Sequence, residues 1–383
     1  MVQIKSAYSS EKTALEAFRE LKSGIHSEPK LLLFFASTTQ NFEELTGLFH
    51  ESFPHSEILG LTTVGEIGPN GITEHGVSAM SFNGSNFSAK GVMIKDIIKY
   101  PIFYRDHLIQ GLSEVGIDRN SRNIETEGIG LVFPNGLVGA EEKMLSVVNS
   151  VFKQEGFPLF GGTAGDDEKF LETMVSYNGE TSNTAGLVAF IKTDDEFVIR
   201  KENIFQTTGK EMKITKSDTE SRTVYEMNGK RATSEYARLL GVPENQLSKH
   251  FMSNPLGRAV NEEIYIASPF QTQPDGSIQF YCQIFQDSVV EILEPKNPVE
   301  TLKSTVADFK EEFSQLDGVL GINCILRKLQ FKSQGIVATL NKELEKLPHL
   351  GGFCSYGEQL NNMQLNQTLI LLGFGKRKRG DRK

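Results

Sequence analysis

A short loop returns three times in this chain, each time behind the same order of elements, and this recurrence constrains the fold more than any other feature. An apolar run is followed by apolar residues at helical spacing, a proline, a second apolar stretch, and a turn of the form Ser/Thr-x-Gly-Asp/Glu. The first copy has Leu31 to Ala36 as strand and Phe42, Leu45, Leu48, Phe49 and Phe53 as helix face. Pro54 and the loop Gly60-Leu-Thr-Thr-Val-Gly-Glu66 follow. The second has Ile129 to Phe133, then Met144, Leu145, Val148, Val151 and Phe152, then Pro158 and Leu159-Phe-Gly-Gly-Thr-Ala-Gly-Asp166. The third has Val319 to Leu326, then Ile336, Leu340, Leu344 and Leu347, then Pro348 and His349-Leu-Gly-Gly-Phe-Cys-Ser-Tyr-Gly-Glu358.

The chemistry of such a loop is general. Glycine lets the chain come close to a ligand or to another backbone. The hydroxyl bonds a neighbouring amide or a ligand, and the acid accepts from loop amides or from a cation. Each loop is therefore either a turn closed by its own carboxylate or one wall of a binding site, and three loops meeting at one pocket would favour the second reading. More β signal follows each loop, at Val77 to Phe82, Gly186 to Ile191 and Gln367 to Phe374. A hairpin is predicted around Pro274-Asp275-Gly276. Helices are predicted on Leu15, Phe18, Leu21 and Ile25 and on Leu302, Val306, Phe309, Phe313 and Leu316. The expected class is α/β, with mixed sheets flanked by helices and built from repeated strand-helix-strand-Gly-loop units in two domains. The charged stretch Lys210 to Arg222 is the expected domain boundary, dividing the chain into 1–215 and 216–383, with a weaker seam at Glu294 to Pro298.

Composition narrows the function classes. A net charge of -9 opposes a broad nucleic-acid surface, which needs clustered cations. The only basic cluster is the tail Lys376, Arg377, Lys378, Arg379, Arg382 and Lys383, read as a solvated end. The longest apolar runs are too short to cross a bilayer, and no signal-peptide core is present, so no membrane insertion is expected. Cys282, Cys324 and Cys354 are scattered and read as free thiols, which suits a cytoplasmic protein. With no Trp and 26 Phe, phenyl rings must supply the bulky packing.

Several of these motifs taken together resemble the FIST family. They are the loops ending at Glu66, Asp166 and Glu358, Asn228-Gly-Lys-Arg-Ala232 before Tyr236, Cys324 with Arg327, and Asn366-Gln-Thr368. The resemblance runs from about 30 to 372, as a FIST N-terminal domain followed by a FIST C-terminal one. It implies a sensory protein that binds a small ligand such as an amino acid and signals through a separate partner, such as a histidine kinase or a cyclic-dinucleotide enzyme. One branch of the family resembles haem-binding nitric-oxide sensors, so haem is the one cofactor it raises. The family often has a small residue after the first-loop glycine, where this chain has Leu61 and Thr62, and that departure bears on the ligand rather than the fold.

The expected ligand-binding set is Thr62, Thr63, Glu66, Gly162, Thr163, Asp166, Arg327, Cys354, Ser355, Tyr356 and Glu358. Arg327, read at the end of an apolar strand, either clamps a ligand carboxylate or pairs with a loop acid. In the first case Glu66, Asp166 or Glu358 would take the ligand's amine. Cys354 is the candidate thiol for an enzymatic alternative, with a loop carboxylate as another, although an inert buried thiol is the plainer reading. Asn135-Gly136 reads as a turn at a strand end. Asn254-Pro-Leu-Gly-Arg258 resembles the Pro-x-Gly loop of FIST C-terminal domains, or is a turn before the strand from Glu263 to Ser268. No nucleophile elbow, P-loop, dinucleotide fingerprint or zinc spacing is present, and nothing among the seven histidines selects a haem ligand.

Overall fold

The computed structural model describes residues 1–260 and 263–378. Of the basic tail, Lys376, Arg377 and Lys378 are exposed, and Arg379, Arg382 and Lys383 lie outside the described residues. The first unit runs β1 (Gln3–Ser9), α1 (Ala14–Gly24), β2 (Leu31–Ala36), α2 (Phe42–Ser52), β3 (Glu57–Thr62), a short hairpin β4 (Glu66–Gly68) and β5 (Gly71–Thr73), and β6 (Val77–Asn83). The second repeats the order: β7 (Phe87–Ile94), α3 (Arg105–Glu114), β8 (Ile129–Phe133), α4 (Glu141–Asn149), β9 (Leu159–Gly162), hairpin β10 (Val175–Tyr177) and β11 (Glu180–Ser182), and β12 (Gly186–Thr193).

The third unit begins with β13 (Glu196–Asn203) and is then interrupted. The inserted module contains β14 (Phe205–Asp218), β15 (Thr223–Met227), β16 (Lys230–Arg231), α5 (Ala232–Leu240), β17 (Leu256–Val260), β18 (Glu263–Ala267), β19 (Pro269–Thr272), β20 (Ile278–Phe280) and β21 (Val289–Pro295). The unit resumes with α6 (Pro298–Glu311), β22 (Phe313–Cys324), α7 (Ile325–Ser333), α8 (Val337–Leu344), β23 (Leu350–Ser355), hairpin β24 (Glu358–Leu360) and β25 (Met363–Leu365), and β26 (Thr368–Arg377).

The three six-stranded sheets have orders β1-β6-β2-β3-β10-β11, β7-β12-β8-β9-β24-β25 and β13-β26-β22-β23-β4-β5. In each, four strands come from one unit and the last two are the hairpin of another. The first unit lends its hairpin to the third, the third to the second, and the second to the first. Each sheet is mixed, with β2–β3, β8–β9 and β22–β23 parallel and the other pairings antiparallel.

Strands buried on both faces read as continuous apolar runs, and Leu31 to Ala36 is fully buried along its length. The inner faces of all three sheets share one core, where Phe35, Phe133 and Phe353 meet, one ring from each unit. The centroid distances are 4.8, 6.1 and 6.4 Å. The outer faces are covered by α1 and α2, by α3 and α4, and by α6, α7 and α8. The inserted module has its own small core around Tyr236, Ile278 and Ile292.

Several local expectations are corrected. Lys210 to Arg222, the expected boundary, forms most of β14 and the turn into β15, and residue 215 falls inside that strand. Its charges alternate with Met212 and Ile214, which are buried, a period of two that suits a half-exposed strand. Phe313 and Leu316 belong to β22, not to the preceding helix. The third helical segment is two helices, α7 and α8, parted by Gly335 at φ 66. Because β22 stops at Cys324, Arg327 lies within α7 instead of at a strand end.

The glycines of β9 and β23 answer one question left open by the sequence. A Cβ on Gly161 would lie 1.7 Å from the Val132 carbonyl oxygen, and one on Gly352 would lie 1.8 Å from that of Gly321. These glycines allow close approach of backbone to backbone, not of backbone to ligand. Gly352→Ala, at φ 142 and against a carbonyl that cannot swing away, is expected to destabilise the protein by about 2 kcal/mol or more in urea unfolding.

Candidate functional site

The three loops meet. Gly165 N–H donates to the Thr62 carbonyl at 2.8 Å, and Asp167 N–H to that of Thr63 at 2.9 Å. Cys354 N–H reaches the Gly65 carbonyl at 2.7 Å, and Val64 N–H returns to the Cys354 carbonyl at 3.1 Å. Thr163 N–H donates to the Gly357 carbonyl at 2.8 Å, and Tyr356 N–H to Thr163 at 3.2 Å. Each loop thus satisfies backbone groups of the other two.

The first and third loops are closed by one device. Thr63 Oγ1 donates to Glu66 at 2.8 Å, and Ser355 Oγ to Glu358 at 2.7 Å. The second carboxylate oxygen accepts the amide ten residues on, Gly76 at 2.9 Å and Thr368 at 3.2 Å. Asp166 is one methylene shorter and does otherwise, accepting from the Phe170, Leu171 and Glu172 amides at 2.9, 2.6 and 3.0 Å and from the Tyr356 hydroxyl. Burial pushes the Glu66 carboxyl up to about 8, only partly opposed by its bonds from Gly76 and Thr63. Burial likewise pushes Glu358 up to about 7.

Most of the expected ligand set is sealed inside this knot. Thr63, Glu66, Gly162, Thr163, Cys354, Ser355 and Glu358 are fully buried and line none of three clefts of about 550, 350 and 340 Å³. Thr62 and Asp166 border the 340 Å³ cleft, although both are almost wholly buried. Tyr356 reaches the 350 Å³ cleft. Burial pushes the Cys354 thiol up to about 11, and its polar neighbour is the Asn323 amide at 3.6 Å, so it has the character of an inert core thiol.

Arg327 is neither a clamp open to a ligand nor a partner of a loop acid. It is 1% exposed, forms an ion pair with Glu202 of β13, donates to Asn323 Oδ1 at 3.0 Å, and lies over the Phe331 ring. The cation that does touch the loops is its neighbour Lys328, whose Nζ donates to the Val64 carbonyl at 2.5 Å and pairs with Glu74 and Glu168. Asn135 is buried and bonded to Thr173 through both ends of its amide, whereas Gly136 faces the 350 Å³ cleft. Leu256 to Arg258 are part of β17 and not a turn.

The 350 Å³ cleft lies between the inserted module and the three-unit body. The module contributes Arg222, Phe270 and Tyr281, and the body contributes Glu141, Phe170 and Tyr356. Phe170 stacks on Tyr356 with centroids 5.1 Å apart and planes 8° apart, yet it remains 57% exposed. It follows two other residues held at positive φ, Asp167 and Glu168, and is itself at φ 53. Such a loop persists because surrounding bonds over-determine it, Asp166 gathering three of its amides and Ser37 and Thr38 holding the Asp167 carboxylate. Arg222, also at positive φ, reaches from the β14–β15 turn to Glu141 and Glu142 in the first turn of α4, at 2.5 Å each, and to the Tyr281 carbonyl at 3.0 Å. Burial nevertheless pushes the Glu141 carboxyl up, against the pull of Arg222. Sequence reasoning missed Arg222, Glu141 and Phe170. Only the apolar pair Phe170-Leu171 directly after an acid loop offered a signal.

Two family models cover nearly the whole chain, the FIST N domain over residues 30–230 and the FIST C domain over 232–361. The chain belongs to the FIST family. FIST domains are sensory domains, which supports sensing over catalysis. Their junction falls inside the inserted module, at β16. Uncharacterized protein MJ1623 of Methanocaldococcus jannaschii is 22% identical over 320 residues, covering 78% of this chain. The chain spans 60% of that relative's length. Among solved structures, PurLQS of Thermotoga maritima aligns over 98% of this chain and 73% of its own at 9% identity and a TM-score of 0.21. T. maritima PurL complexed with ATP does so over 98% and 71% at 10% and 0.20. Likeness that faint carries no argument. No histidine lines any of these three clefts. No helix among the described residues is long and apolar enough to cross a membrane.

Two outcomes follow. Arg327→Met strands Glu202 as a buried charge and is expected to cost about 3–5 kcal/mol in urea unfolding, with most of the loss recovered by adding Glu202→Leu. Because Glu66 and Glu358 hold their protons more tightly folded than unfolded, their contribution is complete below the ordinary carboxyl range. It falls as pH rises toward about 8 and about 7 respectively. Glu66→Gln, which keeps the neutral shape, should flatten the decline in stability between about pH 5 and pH 8, and an unchanged slope would show that the folded carboxyl is not raised.

Proposed function

We propose that this FIST protein senses a small, amino-acid-like molecule with an aromatic or apolar side chain, held in the cleft between inserted module and body. The observation that carries the reading is the pairing of a cation and an anion, Arg222 and Glu141, in a cleft that also holds the exposed Phe170–Tyr356 stack. A free amino acid presents the complementary set. Its carboxylate suits the planar guanidinium, its ammonium suits Glu141, and its side chain lies against the aromatic pair or the apolar Ile325, Leu326 and Leu329 of α7. Glu142 continues to hold Arg222 when Glu141 turns to the ligand.

Signalling follows from the origin of the walls. A ligand that touches both module and body favours arrangements in which both contacts are made, and so shifts the population between them. The output passes to a separate partner, such as a histidine kinase or a cyclic-dinucleotide enzyme, in the cytoplasm. The three unpaired, buried thiols support a reducing compartment.

Because the chain contains no Trp, added tryptophan excited beyond the absorption of the nine tyrosines reports on the ligand alone. Saturable quenching or enhancement is expected, with a rise in Tm at excess ligand. Phe170→Ala, at an exposed position, should weaken binding roughly 2- to 12-fold without altering the unliganded Tm. Absence of any Tm shift across the free amino acids, or a Phe170→Ala protein that binds as the parent does, would refute the reading.

A further inference from the structure

A second cleft, of about 550 Å³, is bordered by Glu142 of the Arg222–Glu141–Glu142 cluster, whose Arg222 and Glu141 line the one just described. It too is walled by both parts of the molecule. Ile266, Ile284 and Val290 come from the module, Met363 and Leu365 from the hairpin β24–β25 of the body, and the exposed Phe285 forms part of its lining.

Its charges are unequal. Glu142 is held in place, with one oxygen on Arg222 at 2.5 Å, a cation it shares with Glu141, and the other accepting the Gln283 amide at 2.9 Å. Cys282, between the two parts, has its thiol pushed up to about 12 by burial and stays uncharged. Arg258, half-buried on β17 opposite Tyr265, has no carboxylate within ion-pairing distance among the described residues. A half-buried guanidinium over apolar walls attracts an anion more strongly than one in open water does, because fewer waters compete for it.

We propose that this cleft is a second binding site, for a small organic anion with an apolar body, its carboxylate, sulfonate or phosphate held by Arg258 and its body lying on Ile266, Ile284, Val290, Met363 and Leu365. This accounts for the Asn254-to-Arg258 segment, which the first cleft leaves without a role. It also puts an occupant against Glu142, so that filling this cleft bears on the cluster that borders the other.

Anilinonaphthalene sulfonate, an apolar anion that brightens on leaving water, is a suitable probe. Titration of the full chain is expected to show saturable enhancement, weakened roughly tenfold or more by Arg258→Gln and less by Arg258→Lys, with the melting transition intact in both. Phe170→Ala, in the first cleft, should leave the dye's affinity at the parent value. The proposal fails if Arg258→Gln binds the dye as the parent does, if affinity is lost in Phe170→Ala instead, or if the native protein shows no saturable enhancement.

Discussion

The structure depends on a cyclic exchange of hairpins. Each unit makes a four-stranded sheet whose β3, β9 or β23 edge is completed only by the two short strands of another unit. An unpaired edge strand leaves a row of backbone donors and acceptors open, and here each unit closes the edge of the next. The exchange brings the turns between lending and receiving strands to one place, which is why the three loops bond to each other. The acids inside them close the ring. They accept amides that would otherwise be buried without partners, and Glu66 and Glu358 do so with the same ten-residue reach.

The three junctions are built alike but are not equivalent. At one, Lys328 of α7 reaches the Val64 carbonyl and fills the space with an ion cluster. At another, Ser37 and Thr38 hold Asp167 beside a polar cleft. At the last, the inserted module hangs over Gly136 and Tyr356 and converts the junction into a walled, largely apolar cleft. Within one repeated architecture, an insertion between β13 and α6 is what distinguishes a candidate ligand site from packing.

Much of the local architecture was legible in the sequence. The three loops, their flanking strands and the class of fold follow from apolar periodicity and turn chemistry, both short-range properties. Which sheet a hairpin joins is set by partners such as Leu61 for Val175, Gly162 for Glu358 and Gly352 for Ile67, far apart in sequence, and leaves no local trace. The long β22 was hidden because Phe313 and Leu316 continue the helical spacing of α6, and it is the pairing with β26 that makes that segment a strand. The expected site suffered from the same blindness. Loop residues that looked exposed for ligand binding are buried by the other loops, and Arg327 faces Glu202 because α7 begins earlier than periodicity suggests. Phe170 and Arg222 sit in segments whose composition resembles ordinary surface, and their proximity to Tyr356 and Glu141 is purely tertiary.

The closed ring also has a consequence for biosynthesis. Ile67 of the first unit finds its strand partner in Gly352 of the third. While the ribosome is still making the middle of the protein, β4 and β5 have no sheet to join, and Glu66 lacks the shelter that keeps water from it. The first unit must therefore wait, half-built, until β23 has been synthesised. Its last strands depend on contacts of very high sequence separation, the kind that close slowly and expose sticky intermediates. A nascent FIST chain of this design is thus most vulnerable to misassembly and to chaperone or protease capture just before β23 emerges.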